Sequence, residues 1–418
     1  MIQEFSVKNY LSFKDTQTIN FLATSERKLK NELTYEPKKG IKILRMALIY
    51  GANASGKSNL LQAIQALWLL MYSPLFKEDE RINMYNPFEL CDGEPIEFKI
   101  VFWIKERKFI YNLKYNEFNI LYEKLEYLSD SGIMSDVYER TETNDYKFGS
   151  TIDIKAKQKN DLIKETLRNH TVLSTLNKKN LDLPFIFHEI YEWLKHNVHE
   201  LGIYNNFIEI AEHAEKKIEL KSMILDLLCK ADFNIIDFHL VDSTISETLR
   251  EEILKDKSLN EDLRKKLLSP RKDLFFKHKT GNSEEFQLNF SMESSGTKIY
   301  FRLARILFEL NNGNNIFMED ELEDSLHYDL LLHYLQTYLQ IETSSQLIFT
   351  THNQMLLDED WMLRRDMIWL VEKDKLTSSS NLQRVSEIGL HKNLSLLNAY
   401  KIGKLGAKPN LGSTLLNF

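Results

Sequence analysis

The sequence predicts an α/β fold with a flanking antiparallel β-sheet and a helical insertion, and three observations predict it. The apolar run Ile43 to Tyr50 leads through the loop Gly51-Ala52-Asn53-Ala54-Ser55-Gly56-Lys57-Ser58 into a helical pattern from Leu60 to Met71. Strict alternation then runs over Ile96, Phe98, Ile100, Phe102 and Ile104 and again over Phe109, Tyr111, Leu113 and Tyr115, which reads as paired antiparallel strands. From about Thr151 to Ser269 the period becomes helical and charge becomes dense, before strand patterns return.

Composition sets the outer limits. A chain of 418 residues holds two or three average domains, or one large core with an insertion. Its net charge of −7 gives no bulk attraction to nucleic acid, so DNA is a possible partner that the charge does not indicate. The two cysteines, Cys91 and Cys229, lie far apart without C-x-x-C spacing, and neither a disulfide framework nor a zinc site is expected. The start Met1-Ile2-Gln3-Glu4-Phe5 lacks the pattern of a signal peptide, and no run reaches the ~18 apolar residues of a membrane span. A cytoplasmic protein without membrane partners is the expectation.

Taken in order, Phe5 and Val7 and later Ile19 and Phe21 share one strand phase, joined by Lys8 to Lys14 as a short hairpin connection. Ser25 to Lys39 reads as a polar surface loop. Ile43 to Tyr50 reads as one strand buried on both faces. A third antiparallel strand is expected around Ile120 to Leu128. In the helical stretch, Phe187, Ile190, Tyr191, Leu194, Val198 and Leu201 form one apolar stripe, and Leu220, Met223, Ile224, Leu227 and Leu228 another. The charged run Glu247 to Lys266 reads as a solvated helix face ended by Ser269-Pro270. Leu274 to Lys279 and Phe286 to Phe290 flank a turn at Gly281-Asn282. These readings divide the chain into an N-terminal lobe over 1–150, a helical insertion over 151–270 and a C-terminal lobe over 271–418.

The loop at 51–58 has the layout that phosphate chemistry needs. Its glycines let the backbone curl so that N–H groups face phosphate oxygens, Lys57 reaches the β/γ-phosphates and Ser58 offers a hydroxyl to Mg²⁺. The helix that follows adds the positive end of its dipole. The expected contacts to ATP are Gly51, Asn53, Ser55, Gly56, Lys57 and Ser58. Three further pieces follow in a fixed order. Ser294-Ser295-Gly296 sits at a helix start, an anion-binding terminus that alone is an ordinary cap. Ile316-Phe317-Met318-Glu319 leads to Asp320, placed to bind Mg²⁺ with Ser58, and to Glu321, placed to polarise a water. Glu319 is a charge where an apolar residue is expected and suggests a rim position. Gln346-Leu347-Ile348-Phe349 leads to His352, placed to sense a γ-phosphate.

This order resembles the ABC-type ATPase heads of the SMC, RecF and OLD kind. The resemblance implies that Ser294, Ser295 and Gly296 are the signature motif, which contacts ATP held by Lys57 and Ser58 of a second copy. It also implies that Glu321, His352 and Lys57 are catalytic. A closer likeness is to the RloA and AbiL type of AAA-family ATPase from phage-defence operons. It is carried by Asn86-Pro87-Phe88, Glu293 to Lys298, Asp320-Glu321 with Ser325-Leu326-His327, Thr350-Thr351-His352, Arg364 to Trp369, Glu372-Lys373-Asp374 and the tail Tyr400 to Pro409. Glu319 departs from that pattern, and no glutamine loop is evident after the first helix. What the likeness implies is an ATP-dependent homo-oligomer that regulates a separately encoded toxic effector, such as a nuclease. The stretch after Asp374 is shorter than a small domain of about 50 residues, so no fused nuclease is expected there. A DNA-repair ATPase of the RecF or SMC kind is the alternative.

Overall fold

Met46–Gly51 forms a strand with all six residues buried, which places it inside a sheet covered on both faces. The computed structural model, which describes residues 1–129, 131–178, 181–243, 247–256, 260–268, 271–391 and 394–408, sets that strand at the centre of a five-stranded sheet. The order is Ile316–Glu319, Gln346–Thr351, Met46–Gly51, Ile368–Lys373 and Ser380–Arg384. The first four strands are parallel and the last is antiparallel. At the far edge, Ile316 N donates to the Asn197 carbonyl (2.7 Å) and the Ile316 carbonyl accepts from His199 N (3.1 Å), so the edge is covered. The stop at Ser269-Pro270 and the tail motif's end at Pro409 lie outside the described residues.

The run Ile43 to Tyr50 proves not to be one strand. Ile41–Leu44 pairs antiparallel with Thr34–Lys38, and the central strand begins only at Met46. Between them Arg45 is buried, donating to the carbonyls of Glu32 and Ile341 at 2.7 Å each. The polar loop expected over Ser25 to Lys39 likewise contains the short helix Lys30–Leu33, with Leu33 wholly buried. One apolar side chain inside a charged stretch gives little periodicity to read.

The flanking antiparallel sheet has seven strands. Its spatial order is Asp145–Phe148, Met134–Thr141, Ile120–Leu128, Arg107–Tyr115, Ile96–Ile104, Ile2–Lys8 and Gln17–Asn20. Phe5, Val7, Ile19, Ile100, Phe102 and Tyr111 share one core with Leu60, Leu61, Ile64 and Leu67 of the helix Lys57–Tyr72. The sheet therefore buries the rear of the helix that starts at the phosphate loop.

The helices expected as one insertion over 151–270 are divided between two packing units. The first unit comprises 1–202, 310–322 and 336–418, and the second 203–309 and 323–335. Helices Val172–Lys178 and Phe185–His196 belong to the first, the former tied through Val172 N to the Glu123 carboxylate and the latter through tryptophan contacts. Trp68 Nε1 donates to the Leu194 carbonyl (2.8 Å), and Trp193 stacks on Phe102 with ring centroids 4.4 Å apart. In the second unit, strands Ile235–Ser243, Arg271–Lys279 and Glu285–Asn289 form an antiparallel sheet. Phe276 and Phe238 of that sheet each lie 5.2 Å from Phe301 of helix Ser295–Asn311.

A buried polar network ties the first unit's helices to its antiparallel sheet. Glu123 accepts from Tyr111, Tyr138 and the N–H of Val172, all within 3.0 Å. Beside it, His170 Nε2 accepts from Leu167 N (2.8 Å) and Nδ1 faces the Leu75 carbonyl (3.1 Å), which fixes the neutral tautomer. Burial is the main cause that pushes the His170 pKa down to about 4. A depressed histidine pKa means that the unfolded chain binds the extra proton first. Stability is therefore expected to fall as pH drops from the ordinary value near 6.5 towards 4, by roughly 3 kcal/mol in total. Urea midpoints at pH 7 and pH 5 measure this, and His170→Gln should flatten the dependence. An unchanged slope in that variant would assign the effect elsewhere.

Candidate functional site

The glycine loop joins the central strand to the helix Lys57–Tyr72, whose N-terminus carries no side-chain cap. Uncapped first-turn N–H groups and the dipole together favour an anion. Gly56 has φ of +109°, and a Cβ there would run into the hydroxyls of Ser12 and Ser380. Those hydroxyls clamp the loop. Ser380 Oγ lies 2.5 Å from the Ser55 carbonyl oxygen and 2.7 Å from Ser12 Oγ, and the Asn59 amide donates to Ser12 Oγ (2.8 Å). Sequence reading missed Ser12, Asn59 and Ser380. The only signal was the polar interruption at Lys8 to Lys14, which reads as a mere connection.

Lys57 is buried, and its ammonium donates to the carbonyls of Gly51 (2.9 Å) and Ala52 (3.1 Å). The Ser55 hydroxyl is buried and makes no hydrogen bond among the described residues. An open buried donor, an uncapped helix start and a lysine held against the loop form a donor set that fits phosphate.

Because four strands of the sheet are parallel, their C-terminal ends emerge at one edge. Phe349 pairs with both Glu319 and Leu48, and Thr351 pairs with Tyr50, so Asp320, His352 and Gly51 leave the sheet at similar height. This is the edge where open α/β sheets hold ligands. The strand before Asp320 lies two places from the loop strand, about 10 Å at ordinary spacing. Thr350 organises the acids. Its hydroxyl donates to Asp320 Oδ1 (2.6 Å) and accepts from Glu321 N (2.7 Å), while its carbonyl accepts from Leu322 N (3.2 Å). Glu321 has φ of +50° and an exposed side chain. A non-glycine residue in that region at a strand end is a feature often found at working sites. Glu319 does not reach a rim as expected but is buried, at 3% exposure.

A cavity of about 960 Å³ lies against the loop, lined by Gly51 to Ser55, His352, Val371 to Lys375, Tyr400 and Lys408 among others. It brings His352 together with Gly51, Asn53 and Ser55; Gly56, Lys57, Ser58, Asp320 and Glu321 are not part of its lining. Ser294 caps its helix, its Oγ accepting from Thr297 N (3.0 Å). Ser295 stays exposed, and Gly296 packs near the Ser325 carbonyl. These three residues lie in the second unit.

Residues 46–358 match the family model described as "AAA domain, putative AbiEii toxin, Type IV TA system". That span includes the phosphate loop, the acids and His352. The chain belongs to this AAA family. No curated protein matches it. Among solved structures, the SMC head domain from Thermotoga maritima is similar at 12% identity and a TM-score of 0.39, covering 92% of this chain and 98% of that one. An Smc head bound to the C-winged helix domain of ScpA is 15% identical with a TM-score of 0.42, covering 96% and 99%. A third, the Smc head domain with an extended coiled coil bound to the C-terminal domain of ScpA derived from Pyrococcus furiosus, is 13% identical with a TM-score of 0.41, covering 97% and 99%. Among the described residues, no helix of this AAA protein is long and apolar enough to cross a membrane.

Proposed function

We propose that this AAA protein is a Mg²⁺-dependent ATPase that hydrolyses ATP at an interface between two copies and regulates a separately encoded toxic effector, such as a nuclease, in a bacterial anti-phage system. The observation that carries the ATPase reading is the phosphate loop with Lys57 at the same sheet edge as the Thr350-linked pair Asp320 and Glu321. Lys57 and the loop N–H groups would offset phosphate charge, and Ser58 with Asp320 would hold the metal. Bound Mg²⁺ neutralises β- and γ-phosphate oxygens. Glu321 orients and polarises a water, and His352 donates a hydrogen bond towards the phosphates. Ser294, Ser295 and Gly296 complete the site of the other copy.

The family description, which names a toxin and a type IV toxin–antitoxin system, supports a place in bacterial conflict; the regulatory role is proposed on the motif resemblance to the RloA and AbiL type. Lys57→Ala is expected to lower phosphate release from Mg·ATP at least about 100-fold with its circular dichroism unchanged, since one positioned charge at such a site contributes on that scale. Release at the wild-type rate would overturn the ATPase reading. Growth arrest on expression of this chain alone would put the toxicity here and overturn the separate effector.

A further inference from the structure

The cavity beside the phosphate loop has a second wall that the mechanism above leaves unused. It is built by the end of strand Ile368–Lys373 and by the chain's C-terminal segment, through Glu372, Lys373, Lys375, Tyr400, Ala407 and Lys408. That segment does not simply trail across the surface. Leu396, Ala399, Tyr400, Leu405 and Ala407 are all buried. Tyr400 donates through its hydroxyl to the Ala407 carbonyl (3.3 Å), and the N–H of Ala407 donates to the Glu372 carboxylate. Lys408 Nζ donates to the Lys401 carbonyl (2.8 Å), which turns its stem back along the helix Leu396–Lys401. Gly406 makes the docking possible for two independent reasons. Its φ is +64°, and a Cβ on it would run into the Glu372 carboxylate.

The carboxylate at the rim is thus committed to a backbone N–H, and Asp374 is committed to its own turn, where Oδ1 accepts from Leu376 N, Thr377 N and the Thr377 hydroxyl. The lysines at positions 373, 375 and 408 line the same space. Three lysines against the two carboxylates leave that wall net positive, across from a phosphate-binding loop.

We propose that residues 400–408 are a working wall of the nucleotide cavity, seated by Glu372 and Gly406, and that Lys408 exchanges the Lys401 carbonyl for the polyphosphate of bound ATP, which makes nucleotide affinity depend on the tail. The inference rests on the proposed nucleotide site. Gly406 is a positioning residue in this scheme and Lys408 a binding residue; neither takes part in the chemical step.

The test titrates full-length wild-type protein, Gly406→Val, Lys408→Ala and Lys57→Ala with N-methylanthraniloyl-ATP and Mg²⁺, alongside amide hydrogen exchange of the wild type with and without ATP. Gly406→Val is expected to raise Kd at least ten-fold, because a β-branched residue can adopt neither the required φ nor the space. Lys408→Ala should raise Kd several-fold, with the difference shrinking as salt is added. ATP should slow exchange across Tyr400 to Ala407 in the wild type, a readout that does not depend on how any variant folds. Unchanged exchange in that segment together with wild-type affinity in folded Gly406→Val would overturn the tail's role while leaving the ATPase reading intact. Failure of the wild type itself to bind the analogue would instead overturn the nucleotide site, and this inference with it.

Discussion

A Glu321→Gln variant is expected to turn over ATP about 100- to 10,000-fold more slowly than the wild type while binding it at least as tightly, the range that a positioned general base contributes. Glu321 follows the strand Ile316–Glu319 by two residues and has φ of +50°, a conformation held by its N–H donating to Thr350 Oγ1 at 2.7 Å. Such a conformation costs on the order of 1–3 kcal/mol and survives only where the surroundings impose it. Here the same hydroxyl also donates to Asp320 at 2.6 Å, so one threonine sets both acids. The Glu321 side chain remains exposed beyond the sheet edge. Glutamine keeps the length and one acceptor oxygen but replaces the charged, basic carboxylate with a neutral amide. If ATP joins two copies, the variant should also accumulate as a dimer with ATP and Mg²⁺, whereas the wild type should return to its starting state as ATP is consumed. Wild-type turnover in the variant would remove Glu321 from the chemistry. Sedimentation velocity without an ATP-dependent change in either protein would rule out the shared interface.

What the sequence made legible follows from how each element is stabilised. Strands at the sheet centre are buried along their length and carry an apolar run, as Gln346–Thr351 does over Leu347, Ile348 and Phe349, and short apolar runs ending in a glycine loop, in acids or in a histidine are easily seen. Alternation gave the long antiparallel strands because one face is buried and the other wet. Elements held by single polar anchors were not legible. Arg45 ends one strand and begins another through two carbonyl contacts, which no periodicity records. The split of the helical region at residue 202 depends on Trp68, Trp193 and Leu194 meeting across the fold, a choice of partner that an amphipathic stripe cannot state. In the candidate site, the order of motifs pointed to Lys57, Asp320, Glu321 and His352. The residues that hold them were missed because a lone serine or threonine is locally unremarkable: Thr350 beneath the acids, Ser12 and Ser380 around Gly56.

Asp366→Ala is expected to cost about 3–5 kcal/mol of stability, the range for removing one partner of a buried ion pair. Asp366 and Arg364 are both fully buried, and the guanidinium grips the carboxylate with two bonds of 2.9 and 2.5 Å. The carboxylate also accepts from the N–H and hydroxyl of Thr24, both at 2.8 Å, while Arg364 donates onward to the carbonyls of Glu26 and Lys28 at 2.9 Å each. Arg384 adds a bond of 2.6 Å to the Asp366 carbonyl and one of 2.7 Å to Leu22. This network stitches the stretch Leu22 to Lys28 to the start of strand Ile368–Lys373. Alanine would strand the Arg364 charge in the interior and leave Thr24 without its acceptor. Burial alone would raise the Asp366 pKa, but the bonds from Arg364 and Thr24 outweigh it and hold the pKa below the ordinary carboxylate range. The sign follows from linkage: the contribution is complete above the unfolded value near 4 and is lost as pH falls through the depressed folded value. Urea unfolding at pH 7 should therefore show the full deficit in Asp366→Ala. In Asp366→Asn, which removes the titration, the gap to wild type should narrow between pH 4 and pH 2. A gap that stays constant over that interval would show that the charge of Asp366 does not stabilise the fold.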